Sequence, residues 1–102
     1  MSRFEAEIST LEMAWNAGGF LDLIRHGNFS EDQGNGFYKT IQSLDFAHAE
    51  MIPRRLVSLL WYLPSFLAWQ EERVAKTSGN VTAYKKFTTE VMNTLERQLG
   101  VP

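Results

Sequence analysis

Few residues in this chain have the type and spacing for chemistry. There are two histidines, and each follows an aspartate at helical spacing: His26 comes four residues after Asp22, and His48 three after Asp45. Both spacings put the pair on one helix face, so each could act as an acid/base pair or as half of a metal site. A metal site needs at least one further ligand from elsewhere, and no HExxH-type spacing is present. His26 reads more simply as a helix C-terminal residue, and Asp45/His48 as a surface or interface pair. Cysteine is absent, which removes disulfides, thiolate ligands and cysteine nucleophiles. No nucleophile elbow or dinucleotide fingerprint occurs. Gly34-Asn35-Gly36 follows no strand and carries no lysine, so it does not make a phosphate cradle. The sequence therefore predicts no catalytic residue, no metal and no cofactor: a protein that is not an enzyme.

Charge is the next resource. The net charge is −2, but the two halves differ. Residues 1–52 hold eight acids against Arg3, Arg25 and Lys39, a balance of −5; residues 53–102 hold seven cations against four acids, a balance of +3. This fits either mutual attraction of solvated helix faces or an acidic patch for a basic partner. Arg54-Arg55 and Lys85-Lys86 make a thin basic strip without a recognition-helix pattern, so nucleic acid is not expected as a partner.

These residues must be positioned by helices. No segment alternates with a period of two, whereas several repeat at helical spacing. Phe4, Ile8, Leu11 and Trp15 form one stripe, with Ser2 as a candidate N-cap. Gly18-Gly19 interrupts it. A short helix over residues 20–26 follows and stops at Gly27, a position for a left-handed C-terminal residue. Ser30 and Gln33 have the form of a capping box, yet Asn35-Gly36 is a turn signal; the third helix begins either at Ser30 or near Gly36. It continues through Phe37, Ile41 and Leu44 and is expected to end near Glu50. Asn80 is a candidate N-cap for a last helix from Val81 to Leu99, closed by Gly100.

The densest apolar stretch runs from Pro53 to Ala75. Leu56 to Trp69 is 14 residues, short of the roughly 20 a bilayer span needs, and charges flank both ends. It reads as a buried central helix with Pro53 in its first turn. Pro64 either kinks it or opens a second helix; the continuous apolar content favours a kink or short break. Leu60 and Trp61 are expected among the most buried residues. Trp69, where the apolar run meets Gln70-Glu71-Glu72-Arg73, is either an ordinary edge residue or an interface anchor. The fold expected is all-α: one domain over residues 1–102, a compact bundle of four or five helices around a central, Pro-kinked apolar helix. The acidic N-terminal stretch MSRFEAEIS is unlike a secretory signal, so the expected location is cytoplasmic, with no membrane association.

The stretch Phe20-Leu21-Asp22-Leu23-Ile24-Arg25-His26-Gly27-Asn28-Phe29-Ser30, a short helix, a Gly turn and a second helix start, resembles the small all-α immunity proteins of bacterial toxin systems, including contact-dependent inhibition. That resemblance implies a stoichiometric inhibitor of a toxin domain, often a nuclease with a basic cleft. It carries over no binding residue. Together with the acidic first half, it points to Asp22, Glu31, Asp32, Asp45 and Glu50 as the partner-binding set. The alternative is a homo-oligomeric or complex-bound structural subunit, with Trp69 in the interface.

Overall fold

The computed structural model describes residues 4–46 and 51–102, and every regular element among them is an α-helix. In chain order these are α1 (Glu5–Trp15), α2 (Phe20–Arg25), α3 (Glu31–Ser43), α4 (Arg54–Trp61), α5 (Leu63–Trp69), α6 (Glu71–Thr77) and α7 (Val81–Leu99). Single residues, Tyr62 and Gln70, separate α4 from α5 and α5 from α6, and both keep helical dihedrals. Taken as one bent helix, these three segments complete a five-helix, all-α bundle.

Pro64 accounts for the first break. It lies in the first turn of α5, where a missing N–H leaves no bond unmade. Two short helices therefore meet at Tyr62. The break at Gln70 was not expected. Across both breaks the buried positions keep helical spacing: Leu56, Leu59 and Leu60 on α4, Leu63, Phe66 and Leu67 on α5, and Val74 on α6. The bent path packs against both α1 and α7.

One expectation fails here. Leu60 is buried as predicted, at 1 % exposure, but its neighbour Trp61 is 67 % exposed. The leucines already fill the face turned to the core. Trp61, one residue or about 100° round from Leu60, falls on the opposite line with Val57 and Ser65. The stretch is apolar all round in composition and buried on one side only.

The conflict at α3 resolves in favour of an N-cap at Ser30. Ser30 Oγ accepts from the Gln33 N–H at 3.3 Å, and the helix runs through Gly34-Asn35-Gly36 without a turn. Gly34 is buried, and a Cβ there would lie 3.1 Å from the Phe29 ring, so glycine makes room for Phe29. The other end of α3 comes earlier than expected, at Ser43 rather than near Glu50. Leu44 turns to extended geometry with its side chain buried. Gln98 of α7 donates from Nε2 to the carbonyls of Gln42 and Leu44, at 3.2 and 2.6 Å, taking up groups a helix end leaves unpaired. Ser2, Glu50 and His48 lie outside the described residues.

Aromatic rings form the interior between α2, α3 and α7. Phe20, Phe29, Phe37, Tyr84 and Phe87 make a connected set with centroid separations of 5.2 to 6.5 Å. Tyr84 donates its hydroxyl to the Leu67 carbonyl at 2.6 Å, tying α7 to α5. Burial, reinforced by the negative charge of Glu71, pushes the Tyr84 phenol well above its ordinary range. The folded state therefore keeps this proton at a pH where the unfolded chain, titrating near about 10, has lost it. The associated stability is fully present below that pH and drains away as pH rises beyond it. Tyr84→Phe should lower stability at neutral pH by about 1–3 kcal/mol, the cost of an unpartnered buried carbonyl. It should also flatten the alkaline loss by one proton, measured by denaturant unfolding from neutral pH to beyond pH ~11.

Candidate functional site

The Asp22/His26 pair does not assemble a reactive centre. His26 Nδ1 donates to the backbone carbonyl of Asp22 at 2.8 Å, not to its carboxylate. The carboxylate is engaged elsewhere: Oδ2 accepts the Gly18 N–H at 3.0 Å, and Oδ1 lies 3.5 Å from Arg25. Asp22 thus staples the α1–α2 turn. His48 lies outside the described residues, and among those described no three His, Cys, Asp or Glu side chains gather as a metal site would require. No described helix is long and apolar enough to cross a membrane.

The five acids of the expected binding set have different fates. Glu31 and Asp32 stand exposed in the first turn of α3 and make no ion pair among the described residues. Glu31 borders a small cleft of about 80 Å³ between α3 and α7, where Lys86 and Glu90 also stand. Asp45 is exposed but lies beyond the opposite end of α3, roughly 20 Å along the helix axis. Asp22 is only 19 % exposed and internally bonded. Glu50 lies outside the described residues. The structure therefore keeps Glu31 and Asp32 together, which are sequence neighbours, sets Asp45 beyond the far end of α3, and engages Asp22 in local bonds.

A second surface is built on the bent helix. Val57, Trp61, Ser65, Trp69 and Arg73 recur every four residues along α4 to α6 and are all exposed; Trp61 and Trp69 expose 67 % and 68 %. Tyr62 joins the two tryptophans, with ring centroids 5.5 Å from Trp61 and 5.8 Å from Trp69. Behind Tyr62 lie Trp15, whose Nε1 donates to the Leu59 carbonyl at 3.1 Å, and Phe66, which carries the Arg25 guanidinium 5.5 Å above its ring. Shallow clefts flank the rings. One of about 270 Å³ is lined by Arg25, Arg55 and Tyr62, the other of about 280 Å³ by Trp69, Arg73 and Lys76. The sequence singled out Trp69 but not this surface. The spacing of four from Val57 to Arg73 was the available signal; it was hidden because apolar residues fill most of the positions between Val57 and Trp69.

The cations here are not equivalent. Arg55 reaches Glu12 Oε2 from Nε and Nη2 at 3.0 and 2.9 Å, Arg25 pairs with Asp22, and Lys76 with Glu72 at 3.3 Å. Arg73 donates to the Arg25 carbonyl at 2.6 Å and has no carboxylate partner among the described residues; Arg54 has none there either.

No family model, curated protein or solved structure matches the chain. Its fold and surfaces define it as an all-α bundle with an exposed acidic pair at the start of α3 and an aromatic, cationic stripe on α4 to α6.

Proposed function

We propose that this chain is a non-catalytic, protein-binding inhibitor, an immunity-type protein that neutralises a basic bacterial toxin domain. The observation that supports it is the pair Glu31 and Asp32, exposed side by side and without an ion pair among the described residues. Carboxylates in that state attract a cationic surface at long range without first breaking a bond of their own. Asp45 stands apart from the pair, beyond the other end of α3; Asp22 contributes little, because Gly18 and Arg25 already hold it. The reading places the protein in the cytoplasm, with no cofactor, nucleic acid or membrane partner.

Charge reversal at both positions, Glu31→Lys with Asp32→Lys, tests it. Association with the basic partner should slow by about tenfold or more at low salt, and its dependence on ionic strength should shrink. The acids also favour the N-terminal end of α3, so a stability loss of about 0.3–1 kcal/mol each accompanies the change; circular dichroism should show the fold retained. An unchanged association rate would sink the reading. A toxin gene immediately upstream would identify the partner to use. A second reading, a subunit of a homo-oligomer, draws on the exposed Trp69, and sedimentation at micromolar concentration decides it.

A further inference from the structure

We infer that the stripe Val57–Trp61–Trp69–Arg73 is a docking surface for an acidic, amphipathic segment of a partner protein. It lies on different helices from Glu31 and Asp32, and the inference stands independently of the function proposed above.

Three observations carry it. The first is aromatic exposure without need. Trp61 and Trp69 present about two thirds of their surface to solvent, while Tyr62 between them makes the rings one contiguous patch. Large exposed rings rimmed by arginine are the composition of binding hot spots, where truncation costs most. The second is periodicity. The exposed line repeats every four residues through two helix breaks, so apolar anchors at Val57, Trp61 and Trp69 are presented in series. The third is charge. Arg54 at one end and Arg73 at the other lack carboxylate partners among the described residues, whereas the cations beside them are already paired. A segment that is apolar in its middle and carries carboxylates at its ends satisfies all three. From Arg54 to Arg73 the path spans at most about 28 Å, the length of a 19-residue helix.

Charge also ranks the other occupants. In a symmetric pair of copies joined through this face, Arg54 and Arg73 would meet their own counterparts, because Glu12 and Glu72 are occupied by Arg55 and Lys76. A single-stranded nucleic acid stacks on aromatic rings but needs a cationic groove tracking its backbone. Here the middle of the stripe, from Val57 through Ser65 to Trp69, is uncharged.

The test is selection of a random library of about 20-residue peptides, matched to the stripe length, against the full chain. Enriched peptides should carry an excess of Asp and Glu around apolar anchors. Their affinity should fall by about tenfold or more in Trp69→Ala and in Arg73→Glu, fall with added salt, and stay unchanged in Glu31→Lys. Trp61→Ala gives an independent check, since both tryptophans are exposed and their loss leaves the core intact. Enriched peptides without acidic excess, no enrichment, or affinities indifferent to Trp69 and Arg73 would overturn the inference. So would tighter binding of an oligothymidine strand, or a concentration-dependent dimer abolished by Trp69→Ala.

Discussion

Replacing Gly27 with alanine should destabilise the protein by about 2–5 kcal/mol, among the largest effects of any single substitution. Gly27 has φ +87° and closes α2 with a complete Schellman arrangement: its N–H bonds the Ile24 carbonyl and the Asn28 N–H bonds the Leu23 carbonyl, both at 2.8 Å. The left-handed conformation costs a non-glycine residue about 1–2 kcal/mol. Space adds to this. A Cβ at Gly27 would lie 2.7 Å from the Thr77 Cβ and 2.9 Å from the Arg73 carbonyl oxygen, and relieving such overlap costs about 1–3 kcal/mol. The neighbourhood cannot yield easily, since Ser78 Oγ donates to the Gly27 carbonyl at 2.5 Å and accepts from the Phe29 N–H at 3.1 Å. Gly18→Ala is the control. Gly18 has φ +81°, but a Cβ added there would meet nothing within 4 Å, so it should show the conformational cost alone. Equal losses at the two sites, in chemical denaturation, would show that the close approach of α6 to the α2 turn is unimportant.

Leu60→Ala should cost about 2–5 kcal/mol, the range for removing a buried leucine and leaving a cavity. Trp61→Ala, one residue on, should cost under about 1 kcal/mol, since most of its surface is already exposed and its ring pairs with Tyr62. The contrast matters because a tryptophan carries far more apolar surface than a leucine, so reading burial from composition alone reverses the order. Leu60 is 1 % exposed and Trp61 67 %. Matched unfolding curves of the two variants measure it, and comparable losses would mean that Trp61 is covered in solution.

The helical nature of the chain was legible because it is written in local spacing. The stripe Phe4–Leu11, the box Ser30–Gln33, the left-handed glycine after α2 and the face of α7 each involve residues within a few turns of one another. Such signals act before any tertiary contact forms. The end of α3 was not legible, since it is decided by Gln98, 54 residues from Leu44 in sequence. Nor was the fate of the acids: Asp22 and Glu31 look alike in sequence, and only the folded turn engages the Asp22 carboxylate, through the Gly18 N–H and Arg25.

By itself, then, the sequence determined an all-α bundle, a short apolar helix region unable to span a bilayer, a break near Pro64 and a buried Leu60. Those follow from periodicity and from backbone chemistry, which need no partner. The tertiary structure decided which side of the α4–α6 path faces out. A run that is apolar on every side has no polar face to mark the solvent, so only the packing of α1 and α7 against its leucines leaves Trp61 and Trp69 exposed. It likewise decided which charges are spent, because ion pairs such as Arg55 with Glu12 form between helices 43 residues apart, a separation no local pattern encodes.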